Sequence, residues 1–336
     1  MAFLRARQVI LLLSLTTVMA LSSCMTYTYE DALQEIPAER SLLEEELPST
    51  RKVVSDGEPE KMAPEIAEPE IAETPAIGGI ERTITTIDVA LVPLPCGGPE
   101  DLLDRIVDEV NSSSYDIVGF TGEEKSLSYV ANRLSMRVHW TEQGLFIATE
   151  LSVDLSATPF IQVETELGRT VHVALVDIQE STVFDQLVVT PDQHDWQKII
   201  LESHEKRSEQ VNYLLDYRGQ DPLLVFASLG EPASTDWFET ADGHHYRSRV
   251  AWPMVEDFSS KRFLDSWSMT HYSALASPGH TWTLVTPEVT YEERVDFLLS
   301  LGLLPVKTMV IPMGPWETSR FPYEYRSAIT GTFVLP

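Results

Sequence analysis

The chain has 336 residues, of which 43% are hydrophobic and 9% aromatic, so it is long and apolar enough for one large core. Its formal net charge is −28, which argues against nucleic acid as a partner, because phosphate contacts need clustered Lys and Arg. With only two cysteines, and another use predicted for Cys24, no disulfide framework is expected. Cys96 is then predicted to be a small buried residue.

Residues 1–23 have the pattern of a secretion signal. Arg5 and Arg7 precede an apolar run that is too short and too weakly flanked to span a bilayer. The run ends in a Leu-Ser-Ser sequence before Cys24, which resembles a bacterial lipobox, and the resemblance implies that the Cys24 sulfur accepts a diacylglycerol. We therefore expect a lipid anchor in the bacterial cell envelope. The outer membrane is favoured, because Met25 is not the Asp that retains enterobacterial lipoproteins at the inner membrane.

Residues 24–80 are predicted to be a disordered acidic tether. Glutamates and prolines recur, aromatic residues end at Tyr29, and the sequence PEIAE occurs at 64–68 and again at 69–73. Like charges keep such a segment extended and solvated. The simplest interpretation is a spacer that holds the following domain away from a membrane.

Residues 81–336 alternate between strand and helix patterns and predict one α/β domain. Strands are predicted at 83–94, 115–120, 136–141, 144–153, 159–164, 171–178 and 222–226. Helices are predicted after residues 98–99, at 123–134 and at 195–217. The first helix would place a single apolar face inward, made of Leu102, Leu103, Ile106, Val107 and Val110. Helices alternating with strands and interposed hairpins predict a two-layer sandwich of mixed β-sheets flanked by helices.

Five segments carry a more specific pattern. They are DIVGFTG at 116–122, PLLVFASLG at 222–230, FLDSW at 263–267, PGHTW at 278–282 and RVDFLLS at 294–300. In this order they resemble motifs of the endonuclease/exonuclease/phosphatase superfamily of DNase I-like proteins, over about residues 84–335. The first resembles the family's Asp-Val-Val-Gly-Leu-Gln-Glu, the second its Gly-Asp-Phe-Asn strand end, and the last its Arg-Ile-Asp-Tyr strand.

The resemblance implies a metal-dependent phosphoesterase whose chemical groups have been replaced. The degenerate active-site positions are Pro93, Gly122, Asp177, Ser228, Gly230, Tyr325 and Arg326. Phosphodiester hydrolysis of this kind needs carboxylates to hold Mg²⁺ and a His–Asp pair, which Gly, Ser, Tyr and Arg do not supply. We therefore expect no catalytic residue, metal or cofactor. The prediction is a pseudoenzyme with a binding or structural role in the cell envelope, directed at a protein or another envelope ligand.

A displaced active site is the alternative. Glu123, Asp177 and Glu231 lie at or beside the replaced positions, and a metal-dependent phosphodiesterase or phospholipid hydrolase rebuilt on them is the competing hypothesis. It is disfavoured because a shift of one residue at the end of a strand turns a side chain to the opposite face of the sheet.

Overall fold

The computed structural model describes ten stretches of the chain. They are residues 85–95, 98–141, 146–156, 159–178, 196–234, 236, 252–273, 276–285, 290–313 and 323–335. The predicted signal peptide, the predicted tether and both cysteines lie outside these residues. Among the residues described, no helix is long and apolar enough to cross a membrane.

The described domain contains helices and strands in alternation. The helices are α1 (Glu100–Ser112), α2 (Glu124–Ala131), α3 (Trp196–Glu209), α4 (Asn212–Leu215), α5 (Pro253–Ser260) and α6 (Ser266–Thr270). The strands are β1 (Thr86–Pro93), β2 (Ile117–Thr121), β3 (Arg137–Trp140), β4 (Phe146–Thr149), β5 (Ser152–Asp154), β6 (Ile161–Glu164), β7 (Thr170–Asp177), β8 (Leu223–Ser228), β9 (Leu264–Asp265), β10 (Trp282–Val285), β11 (Thr290–Glu293), β12 (Asp296–Leu301), β13 (Leu304–Pro312) and β14 (Tyr323–Val334).

The strands form two mixed sheets. The eight-stranded sheet has the order β11-β10-β14-β1-β2-β4-β3, with β13 also paired to β14. The six-stranded sheet has the order β5-β6-β7-β8-β12-β9. β1 and β2 are parallel, as are β7 and β8, whereas β14, β4 and β12 run antiparallel to the strands they join. The predicted fold class of mixed β-sheets with flanking helices is confirmed.

The two sheets pack closely through their inner faces. A Cβ atom at Gly119 of β2 would lie 2.8 Å from the Phe226 ring of β8, so this contact leaves no room for a side chain. Side chains alternate along β8: Leu224 and Phe226 join the core between the sheets. Those at 223, 225 and 227 join a second core under α4 and α5. Both faces of β8 are thus buried, which explains its unbroken apolar sequence.

The apolar face predicted for the first helix is confirmed in α1. Its five predicted core residues are all buried, and Pro99 precedes the helix at the N-cap. Glu100 and Asp101 occupy its first turn, where carboxylates interact favourably with the helix dipole.

The prediction of a single strand at 144–153 is wrong, because the chain passes from one sheet to the other there. β4 ends at Thr149 in the eight-stranded sheet, and β5 begins at Ser152 in the six-stranded sheet. In the turn between them the Leu151 N–H donates to the Thr149 hydroxyl at 3.0 Å, which replaces a ladder hydrogen bond.

The prediction of one continuous helix at 195–217 is also wrong. α3 ends at Glu209, since the N–H groups of Gln210 and Val211 donate to carbonyl oxygens three residues back, each at 3.1 Å. This tighter turn separates α3 from α4. Leu214 and Leu215 of α4 are nevertheless buried, as the apolar pattern predicted.

Candidate functional site

One end of the sandwich collects the carboxyl ends of both pairs of parallel strands. β1 ends at Pro93 beside Thr121 of β2, and β7 ends at Asp177 beside Ser228 of β8. The antiparallel β12 begins at the same end, with Asp296 opposite Ser228. Carboxyl ends of parallel strands are where ligands usually bind in open α/β sheets. We call this end the pole.

Hydroxyl groups connect the two sheets at the pole. The Ser228 hydroxyl donates to Oδ1 of Asp296 at 2.6 Å, and Oγ1 of Thr121 lies 3.0 Å from the Ser228 oxygen. Because the single Ser228 proton is directed to the carboxylate, Thr121 is the donor in the second hydrogen bond. The chain of donors therefore runs from the eight-stranded sheet to a carboxylate on the six-stranded sheet.

The remaining contacts saturate that carboxylate. The N–H groups of Val295 and Asp296 donate to the Thr281 hydroxyl at 3.1 and 3.0 Å, and that hydroxyl is itself hydrogen-bonded to the Asp296 carboxylate. Nη1 of Arg326 lies 3.4 Å from Oδ2 of Asp296. Burial raises the pKa of Asp296, while the Arg326 guanidinium and the hydroxyl of Ser228 oppose that shift.

We call Thr121, Ser228, Thr281, Asp296 and Arg326 the pole network. The side chain of Asp296 is 0% exposed and that of Arg326 is 20% exposed. Thr121, Ser228 and Thr281 are also buried. The network is thus a closed hydrogen-bonded unit with one carboxylate and one guanidinium, and it lies between the ends of the two sheets.

Glycine at position 122 is required by the packing of the pole. Its φ is +133°, and a Cβ atom there would lie 2.9 Å from the carbonyl oxygen of Leu94. Leu94 cannot move freely, because its N–H donates to the Thr121 carbonyl oxygen at 2.8 Å. Position 122 therefore lacks a metal-binding group and also lacks the space for one. Gly230, just beyond β8, likewise has a positive φ of 63°.

Tyr325 and Arg326 lie on opposite faces of β14, as successive strand residues do. Tyr325 pairs with Thr283 and Arg326 with Trp282 in the β10–β14 ladder. Only Arg326 of the two contacts Asp296 in a described hydrogen bond. Of the predicted positions, Pro93, Gly122, Asp177, Ser228 and Arg326 lie at or beside the pole, whereas Tyr325 faces the other side of its strand.

Glu231, proposed for a displaced site, is instead held in a buried ion pair. Its Oε2 accepts from Nη1 of Arg207 at 2.7 Å, and its Oε1 accepts from the Met254 N–H at 2.6 Å. Arg207 also donates to the Leu229 carbonyl oxygen. Burial raises the pKa of Glu231 to about 7, and the Arg207 charge opposes this. Turning Glu231 toward a metal would leave Arg207 buried without its counter-charge, which is costly.

The other two acidic candidates do not complete a metal site with it. Glu123 precedes α2, where its carboxylate accepts from the Ser126 hydroxyl at 3.1 Å. Asp177 is half-buried at the end of β7. Within the described stretches, no group of three or more His, Cys, Asp or Glu residues is arranged to hold a metal ion.

A second buried cluster, not predicted from the sequence, lies beside the pole. Nε of Arg294 donates to Asp236 at 2.9 Å and its Nη1 donates to Asp265 at 2.9 Å. Asp265 in turn caps α6 by accepting from the Trp267 N–H at 3.1 Å. A buried Arg between two carboxylates holds several chain segments in place. Arg294 and Asp296, the charged residues of the segment RVDFLLS, were a signal in the sequence for both clusters.

The same region explains the family-like segments at 263–267 and 278–282. The Trp267 indole N–H donates to the Ser277 carbonyl oxygen at 2.9 Å. A Cβ atom at Gly279 would lie 2.3 Å from the Trp267 ring, so only glycine fits against the indole face. These segments therefore pack against each other and have a structural role.

Comparisons with known proteins give only structural matches. No protein-family model and no curated protein matches the sequence. The structure is similar to an endonuclease/exonuclease/phosphatase family protein from Bacteroides thetaiotaomicron, at 11% identity and a TM-score of 0.45, over 75% of this chain and 99% of that one. It is also similar to a mannosyl-6-phosphatase from Bacteroides thetaiotaomicron, at 12% identity and a TM-score of 0.43, over 74% of this chain and 100% of that one. A third match is TDP2 from Caenorhabditis elegans, at 10% identity and a TM-score of 0.45, over 74% of both chains. Similarity at this level says nothing about activity.

Proposed function

We propose that this chain is a lipid-anchored protein of the bacterial cell envelope whose phosphoesterase-like domain binds a partner or holds it in place, and does not hydrolyse phosphoesters. The observation that carries the proposal is the closed pole network. Its one carboxylate, Asp296, is fully buried and already bonded to Ser228, Thr281 and Arg326.

The charges at the pole oppose a divalent cation. Mg²⁺ and Ca²⁺ take six or more oxygen ligands, usually including carboxylates and waters. Within the pole network a cation would meet one carboxylate, that of Asp296, and, 3.4 Å from it, the guanidinium of Arg326. The cation would therefore have to displace Arg326, and Gly122 leaves no space for an added ligand.

Metal titration of the mature chain tests this proposal. We expect the melting temperature to be unchanged by Mg²⁺, Mn²⁺ or Ca²⁺, with no metal-dependent turnover of a generic phosphodiester or of sphingomyelin. Arg326→Ala is the informative variant, because it removes the guanidinium that would compete with a metal ion and leaves the Asp296 carboxylate in place. A metal-dependent rise in melting temperature together with turnover that Glu231→Ala or Asp296→Asn abolishes would show a hydrolase and contradict the proposal.

The anchor is tested separately at Cys24. We expect labelled fatty acid to be incorporated into the wild-type chain and the protein to fractionate with membranes. Cys24→Ser should abolish both results, whereas Cys96→Ser, the matched control at the second cysteine, should leave both unchanged. Fatty-acid incorporation that survives Cys24→Ser would refute the anchor.

The partner is proposed to be a protein or another envelope ligand, and the outer membrane is the proposed location. Membrane fractionation with an inner-membrane marker tests the location, since the chain should separate from that marker. Co-fractionation with the inner-membrane marker would instead place the protein at the inner membrane.

A further inference from the structure

Two sequence segments of this acidic chain are almost free of charge. Residues 266–287 contain no Asp, Glu, Lys or Arg, and residues 297–316 contain only Lys307. In a chain with 52 acidic residues among 336, the side chains that these two segments expose therefore include no carboxylate.

The fold brings these two segments together at one edge. α6 comes from the first segment and packs against β13 from the second, where the Thr308 hydroxyl donates to the Ser266 carbonyl oxygen at 3.0 Å. β13 pairs with β14, and among the described strands it has no partner on its other side.

Apolar side chains are exposed along this edge. Leu304, Val306 and Met309 of β13 are 51%, 49% and 46% exposed, and Met269 of α6 is 51% exposed. Lys307 is the only charged residue among them, and it is exposed. We call Leu304, Val306, Met309 and Met269 the uncharged edge. Clustered exposed apolar side chains of this kind mark interaction surfaces.

The backbone of β13 disfavours addition of another strand. Pro305 and Pro312 cannot donate to a ladder, and the register of β13 shifts between Pro305 and Lys307. Proline, lysine and bulges are the features by which natural proteins block pairing at sheet edges. The uncharged edge is therefore suited to contact through its side chains, and poorly suited to a peptide or a second copy added as a strand.

The chain enters the domain beside this edge. Thr86, the first residue of β1, pairs with Val334 of β14, which pairs in turn with Leu304 of β13. The Leu335 N–H also donates to the Thr85 carbonyl oxygen at 3.0 Å. Two strand spacings separate Thr86 from Leu304, a distance of roughly 10 Å. Any membrane attachment located before residue 85 therefore leads into the domain next to the uncharged edge.

We propose that the uncharged edge rests on a membrane surface of electrically neutral lipid. This rests on the proposed lipid anchor and replaces the spacer interpretation of residues 24–80, because a tether of that length also lets the domain reach the membrane. Leu304, Val306 and Met309 enter the interfacial region, and Lys307 reaches the headgroups with its amine while its methylenes stay in apolar contact. Anionic lipid is disfavoured, because the net charge of −28 repels it.

Vesicle flotation tests the proposal with the mature chain, residues 24–336, carrying Cys24→Ser so that no acyl chain is present. We expect binding to phosphatidylcholine vesicles, and weaker binding when a third of the lipid is phosphatidylglycerol. The triple variant Leu304→Ser/Val306→Ser/Met309→Ser should lower the vesicle partition coefficient by about tenfold or more, because three half-exposed apolar side chains lose their transfer free energy.

The matched control replaces three leucines of similar exposure elsewhere on the domain. Leu155, Leu167 and Leu201 are 53%, 55% and 56% exposed, and their triple Ser variant should bind vesicles like the parent. Equal melting temperatures for both variants would show that the domain stays folded. Equal losses of binding, or a parent that does not float with vesicles, would overturn the proposal, as would a parent dimer that only the edge variant makes monomeric. Since no acyl chain is present, none of these results bears on acylation of Cys24, which the fatty-acid experiment decides.

Discussion

The pole network predicts an unequal effect of one substitution at two buried serines. Ser228→Ala removes a 2.6 Å hydrogen bond to a carboxylate and leaves the Thr121 hydroxyl without its acceptor. A hydrogen bond to a charged group contributes about 1.5–3 kcal/mol. We therefore expect Ser228→Ala to lower the free energy of unfolding by about 2–3 kcal/mol.

Ser300→Ala is the matched control on the neighbouring strand. Ser300 is also buried, but its hydroxyl donates to the neutral Leu303 carbonyl oxygen at 3.0 Å. A neutral hydrogen bond contributes about 1 kcal/mol, so the two variants should differ by about 1–2 kcal/mol. For a domain of this size that is a difference in melting temperature of roughly 2–8 °C.

Urea and thermal denaturation at neutral pH measure the loss of stability in both variants. The difference in the free energy of unfolding between the two variants should become smaller in acid, because protonation of Asp296 converts the charged acceptor into a neutral one. Equal losses for Ser228→Ala and Ser300→Ala at neutral pH would show that the carboxylate is not the acceptor, and the reasoning about the pole network would be refuted.

Three further predictions concern the buried ion pair and the strand ends. Glu231→Ala should lower the free energy of unfolding by about 3–5 kcal/mol in urea denaturation at pH 8, because it leaves Arg207 buried and unpaired. Burial raises the pKa of Glu231 from 4.5 to about 7, so the folded chain keeps this proton over an interval in which the unfolded chain releases it. The stability that this bound proton adds should be complete below pH 4.5 and be lost as the pH rises through about 7, whereas the contact with Arg207 remains at pH 8. Denaturation of wild type and Glu231→Gln across this range measures the proton-linked part, and the variant should show a flatter pH profile. Gly122→Ala should lower the melting temperature more than Gly168→Ala, since both glycines have positive φ but only at 122 would the Cβ atom lie 2.9 Å from Leu94; equal melting temperatures would contradict the packing described at the pole.

Local patterns in the sequence predicted most of the strands and helices before residue 227, because burial of apolar faces has a period that neighbouring residues reveal. The face of α1 and the buried strands β2 and β8 follow from such patterns. The change of sheet after Thr149 could not be predicted from such patterns. It depends on contacts with distant strands, and the apolar pattern does not reveal it.

The sequence predicted some members of the pole network but not their bonding. Ser228 and Arg326 were singled out from the sequence, and both contact Asp296 at the strand ends. The pole network could not be derived, because Thr121 and Ser228 are 107 positions apart and their hydrogen bond depends on how the sheets pack. Glu231 was misjudged for the same reason, since its partner Arg207 is 24 positions away on α3.

The last strand of the domain completes the pairing of three others. β14 pairs with β1, β10 and β13, and the hydrogen bond from Thr332 to Asp88 spans 244 positions. Contacts of such long sequence separation form late and slow folding, because a long loop must close first. A nascent or truncated chain that lacks its final dozen residues would thus leave β1 paired only with β2 and would leave β13 without β14, so folding of the eight-stranded sheet must wait until β14 has been synthesised.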